Sequence, residues 1–136
     1  MPGLEAAWRT QLEDMVTIEH ESTSLEQVAA VSRGAAARLS ERARSAISKG
    51  RAALEGRIRE GRPIYGVSTG FGRLAGTRVS NDQVEALQRN LLFSHACGSG
   101  PPLPHRVVRV MMFLRAASLS SGRSGVRTEP VELLLA

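Results

Sequence analysis

Residues 104–120 constrain the fold more than any other stretch. Their spacing reads as a helix that carries Val107, Val108, Val110, Met111, Met112, Phe113, Leu114 and Leu119 around nearly its whole circumference. A helix apolar on most faces needs a larger body of packing around it. Arg109 and Arg115 interrupt the run, so it is no membrane span. Aromatic residues make up only 4% of the chain, so the core has to come from Leu, Val, Ile, Met and Ala. With Arg, that palette favours helices. The expected class is mainly α, and 136 residues suffice for one core.

Punctuation along the chain supports this. Residues 1–15 read as weakly helical, and Val16 to Glu21 alternates apolar and polar residues as a short strand does. Ser24-Leu25-Glu26-Gln27 has the pattern of a capping box, opening a helix that ends near Gly34. A longer helix is expected from about Ser40 to Glu60, striped by Ala43, Ile47, Leu54 and Ile58 and stopped by Gly61 and Pro63. After a loop at 64–77, Ser80-Asn81-Asp82-Gln83 reads as a second capping box, opening a helix to about Ala96. Pro101, Pro102 and Pro104 turn the chain into the apolar helix. Thr128-Glu129-Pro130 then reads as the N-cap and first turn of a last helix carrying Leu133, Leu134 and Leu135. So short a helix does not hold itself together in water. The expectation is that its remainder is missing or that a partner covers the leucines.

Charge and cysteine content narrow the function. The net charge is +5, but the arginines spread from Arg9 to Arg127 among acidic residues, with few aromatics for base stacking. Nucleic-acid binding is therefore not expected. The one cysteine, Cys97, excludes an internal disulfide and suits a reducing compartment. The first 15 residues lack the apolar core of a signal peptide. A cytoplasmic protein without a membrane partner is expected.

The residues able to carry chemistry are few. Tyr65-Gly66-Val67-Ser68-Thr69-Gly70-Phe71-Gly72 fits neither a dinucleotide fingerprint nor a phosphate loop. It reads either as a flexible connection or as a backbone that closes around a ligand and holds Tyr65 at its edge. His95 continues the stripe of Val84, Leu87 and Leu91, which directs it to a buried side as a core or interface residue, with Ser94 beside it in the last helical turn. His20 and His105 stand alone, so no metal site is expected, and Cys97 reads as a small buried residue.

Taken together, Tyr65–Ala75, Leu87-Gln88-Arg89-Asn90-Leu91-Leu92, Ser94-His95-Ala96-Cys97-Gly98, Leu114-Arg115 and Ser124-Gly125-Val126-Arg127 resemble the N-terminal part of the histidine and aromatic amino-acid ammonia-lyases and aminomutases. The resemblance is strong over 64–136 and is one of layout over 16–63. It implies a helical fold with a short N-terminal strand and a glycine-rich active-site loop of Gly66, Gly70, Phe71 and Gly72. By the same resemblance Tyr65 is the catalytic tyrosine, acting in proton transfer, and Ser94 and His95 contact the substrate side chain. A Ser-His pair at that place goes with histidine as substrate, which implies elimination of ammonia from L-histidine to give urocanate. The family's electrophile is methylidene-imidazolone (MIO), formed from an Ala-Ser-Gly triplet.

This sequence departs from the family pattern at three points. No Ala-Ser-Gly occurs in it, Arg123 stands where an aromatic or small residue is usual, and Thr128 stands in place of proline. The expectation is an N-terminal region of such a lyase over 1–136, truncated before the triplet and inactive alone. Its partners would be an amino-acid substrate and either a homo-oligomer or a complementing C-terminal polypeptide. Tyr65 and His95 should then face one shared cavity that other residues complete. The alternatives are an aminomutase fragment and a non-catalytic interaction module of the same fold.

Overall fold

The computed structural model describes residues 15–20, 22–74, 76–77, 79–80 and 82–136. The helix expected before Met15 lies outside them. The elements are β1 (Val16–Ile18), α1 (Leu25–Arg33), β2 (Ala37–Leu39), α2 (Glu41–Arg59), a 3₁₀ turn (Gly72–Leu74), α3 (Val84–His95), α4 (His105–Ser120) and α5 (Thr128–Leu133). Two compact units divide the chain, one holding the described residues up to Ala53 with Leu103–Ala136, the other Leu54–Pro102.

The first unit is built on a parallel pair of strands, Val16 opposite Ala37 and Ile18 opposite Leu39. Parallel strands need a crossover between them, and α1 supplies it. The capping box expected at Ser24 is present: its Oγ accepts from the Gln27 amide at 3.3 Å, and the Gln27 carboxamide oxygen accepts from the Ser24 amide at 2.9 Å. Gln27 Nε2 also donates to the Thr17 carbonyl, fastening the start of α1 to β1. Gly34 closes the helix in a left-handed conformation, as expected.

β1 is shorter than the alternation through Glu21 suggested. Its partner ends first: the Ser40 amide donates to the Ile18 carbonyl at 3.1 Å, and α2 begins at the next residue. Ser40 Oγ then accepts from the Ala43 amide and donates to Glu19, so one hydroxyl both caps α2 and holds the end of β1.

Around this pair lies the core, with Ile18, Val31, Leu39, Ile47, Phe113 and Val131 its principal buried side chains. The described residues cover α4 on one side only. Phe113, Ala116, Leu119 and Ser120 are buried, whereas Val107, Val108, Met111 and Leu114 form an exposed apolar side, Met111 at 56%. Arg109, which interrupted the apolar run, has a defined task. Its guanidinium donates to the Val31 and Ala35 carbonyls, placing a cation at the C-terminal end of α1, where free carbonyls and the helix dipole favour one.

At α5, Arg127 holds the N-cap position without a side-chain bond, and Thr128 is already helical rather than the cap expected there. Val131 is fully buried, and Leu134 and Leu135 pack half-buried against the core. Of the three leucines expected to be presented, only Leu133 is well exposed. An Arg44–Glu132 ion pair ties α5 to α2.

Candidate active site

The second unit carries both the glycine loop and α3. Between Ile64 and Val79 the loop is knitted by its own hydrogen bonds, against the flexible-connection reading. Ser68 Oγ accepts from the Ile64 amide at 2.9 Å, and the Val67 and Ser68 amides both return to the Ile64 carbonyl. Thr69, one of the unit's few buried side chains, accepts from the Gly66 amide and donates to the Gly70 carbonyl. Gly70 and Val79 amides donate to Thr77 and Ser68 carbonyls, closing the base of the loop.

This frame presents Tyr65. Its ring stands edge-on to Phe71, with centroids 6.2 Å apart and planes at 77°. Its phenol oxygen accepts from the Gly72 amide at 3.4 Å, and the side chain is otherwise open, 65% exposed. Gly66 makes the turn possible. Its φ is +70°, and a Cβ there would sit 2.8 Å from the Phe71 ring. Tyr65, Gly66, Phe71 and Gly72 thus come together as one cluster, with Gly70 buried within the loop that carries them.

α3 begins later than the capping box at Ser80 suggested. Gln83 holds the N-cap position in helical conformation with no side-chain bond, and its amide donates to the Ser80 carbonyl, a turn preceding the helix rather than a cap. Val84, Leu87 and Leu91 are half-buried as their stripe implies, but His95 is exposed, which corrects the expectation of a buried ring. Cys97 is likewise exposed, with a free thiol.

In the last turn of α3, Ser94 Oγ donates to the Leu91 carbonyl at 2.9 Å. His95 Nδ1 lies 2.9 Å from Ser94 Oγ and 3.0 Å from the same carbonyl. The carbonyl can only accept, and the one serine proton is already engaged. The proton of the neutral ring therefore belongs on Nδ1, and Nε2 is left as an outward acceptor. Ser94 and His95 form one unit, but no hydrogen bond among the described residues joins them to Tyr65.

The connection runs through a residue to which sequence reasoning gave no role. Gln88 Nε2 donates to the Gly66 carbonyl at 2.9 Å, fastening the tyrosine loop to α3. The available signal was a carboxamide beside Leu87 on an otherwise apolar stripe. Gln88 and His95 are seven residues apart and share a helix face, separated by about 10 Å along the axis. No cluster of His, Cys, Asp or Glu among the described residues could hold a metal ion, and no described helix is long and apolar enough to cross a membrane.

The aromatic amino acid lyase family model matches residues 23–136, which extends the likeness upstream of the motif-bearing half. The chain belongs to that family. It is 47% identical over 114 residues to histidine ammonia-lyase of Symbiobacterium thermophilum and 49% identical to that of Deinococcus radiodurans, covering 83% of this chain and 22% of each relative. Among solved structures it is similar to ergothionase of Treponema denticola (TM-score 0.83, 28% identity, 89% of this chain and 24% of that one). It is also similar to tyrosine aminomutase of Streptomyces globisporus (TM-score 0.82, 30% identity, 88% and 23%) and to histidine ammonia-lyase of Trypanosoma cruzi (TM-score 0.76, 32%, 89% and 23%). The chain therefore spans under a quarter of the length of these relatives.

Proposed function

We propose that this chain supplies the catalytic phenol and the side-chain-recognition pair of an ammonia-lyase acting on L-histidine, releasing ammonia and urocanate. The observation that carries the reading is the bond from Gln88 to Gly66, which ties the Tyr65 loop to the helix face bearing His95. The histidine ammonia-lyase relatives support the choice of substrate.

In this reading Tyr65, open to its surroundings, exchanges a proton with the substrate's amine or β-carbon. Nε2 of His95 accepts from the N–H of the substrate imidazole, and Ser94 holds the ring in that tautomer. The Ala-Ser-Gly triplet needed for the family's MIO electrophile is absent from these 136 residues, so no step here runs through that group. It would come from residues outside this sequence, in the same or another polypeptide, within a cytoplasmic oligomer.

The test combines this chain with a polypeptide carrying the remainder of the lyase, triplet included, and follows urocanate absorbance with histidine. Co-elution with urocanate formation is expected; co-elution without urocanate contradicts the proposal. A second reading, a non-catalytic interaction module, draws on the exposed apolar side of α4 at Val107, Val108, Met111 and Leu114. It predicts association that is indifferent to Tyr65→Phe.

A further inference from the structure

We infer that Gln88 is a positioning residue: its carboxamide sets where the Tyr65 phenol stands relative to His95. The inference rests on the reading of Tyr65 and His95 as partners in one site, but its geometry is independent of any activity. Gln88 is half-buried in the middle of α3, and its carboxamide N–H finds an acceptor there. The partner is the carbonyl of Gly66, adjacent in sequence to Tyr65. Gly66 is also the point at which the loop turns with positive φ, and its amide is held by Thr69. Both sides of this one residue are therefore hydrogen-bonded, one within the loop and one to the helix.

The consequence is a fixed spacing. Fastened at Gly66, the residue after Tyr65, the loop is held to the face of α3 that also carries His95 two turns further on. With the fastening gone, Thr69 and the Thr77 and Val79 bonds still shape the loop, but nothing among the described hydrogen bonds sets its position against α3. Among the described hydrogen bonds Gln88 reaches neither the Tyr65 phenol nor the His95 ring. It acts through the backbone of the neighbour of Tyr65.

Tyr65 is the only tyrosine in the chain, so its ring resonances identify themselves in a proton NMR spectrum. With a nitroxide on Cys97, the chain's one thiol and two residues beyond His95, the paramagnetic broadening of these resonances should fall in Gln88→Leu as the loop leaves α3. Exchange of the Gly72 amide, whose bond to Tyr65 lies within the loop, should stay near the wild-type rate. Val131 and Ile47 methyl resonances, from the other unit's core, should stay in place. Gln88→Glu gives the second arm. Its carboxylate cannot donate to the Gly66 carbonyl, but its protonated form can, so the wild-type broadening of the tyrosine signals should return as pH is lowered through the carboxyl's titration. Label-induced broadening of the tyrosine resonances that stays at the wild-type value in Gln88→Leu would overturn the inference. So would Gln88→Glu spectra that do not change with pH. Because neither readout involves histidine turnover, an inactive reconstituted lyase with these NMR results would refute the proposed activity and leave the positioning role standing.

Discussion

Gly50, in the middle of α2, lies so close to Gly122 that a Cβ on Gly50 would fall onto the Gly122 carbonyl. The approach is reciprocal, since a Cβ on Gly122 would run into the Ala46 carbonyl. Glycine inside a helix costs about 0.5–1 kcal/mol relative to alanine. Here that cost lets the loop after α4 seat against α2, where Arg51 also donates to the Gly125 carbonyl.

Gly50→Ala should therefore destabilise the protein. Overpacking against backbone, which cannot rotate away, costs about 1–3 kcal/mol and outweighs the helix-propensity gain of at most ~1 kcal/mol. Urea unfolding checks this. A midpoint equal to or above wild type would mean that the loop is not seated as described.

Gly66→Ala should disturb the tyrosine cluster while sparing the first unit's core. Its positive φ costs a non-glycine residue about 1–2 kcal/mol, and the new methyl meets the Phe71 ring at 2.8 Å. The Phe71 ring can swing aside, so the expected signature is a shifted Tyr65 spectrum in a chain that still folds.

How much of this was legible in the sequence depended on whether the signal was local. Ser24 with Gln27, and Gly34 after the helix, are cues confined to a few residues, and they placed α1 correctly. β2 went unrecognised because Ala37-Arg38-Leu39 carries no pattern of its own and becomes a strand only beside β1. The Ser80-Gln83 pattern misled for a related reason. A capping box needs a geometry as well as a composition, and here the turn is completed before the helix starts. His95 fell on an apolar stripe but lies at its end, where the described residues leave it exposed. The Tyr65 loop was legible as a motif, while its fastening by Gln88, 22 residues away, was not.

Glu26 should make α1 sensitive to acid. A hydrogen bond from Ser24, and then one from its own backbone, hold its carboxyl below the ordinary carboxylate range. A group with a lowered folded-state pKa contributes stability that is present above its unfolded pKa and lost as pH falls through the folded value. Protection of the α1 amides should thus weaken as pH is taken below the ordinary carboxylate range. Glu26→Gln should flatten that dependence; an unchanged slope in the variant would assign it elsewhere.

In a reconstituted lyase, His95→Leu should raise KM for histidine roughly tenfold, equivalent to about 1.4 kcal/mol. Ser94→Ala should have a smaller effect, about twofold, because the Leu91 carbonyl still holds Nδ1. Equal effects of the two variants would contradict the division of roles between them.

The most direct measurement is kcat of the reconstituted enzyme with Tyr65→Phe, which deletes the phenol oxygen and little else. If Tyr65 moves the proton, kcat for urocanate formation should fall by about 10²–10⁴, the usual contribution of a positioned acid or base, with KM much less affected. A variant that turns over histidine at the wild-type rate would contradict the account.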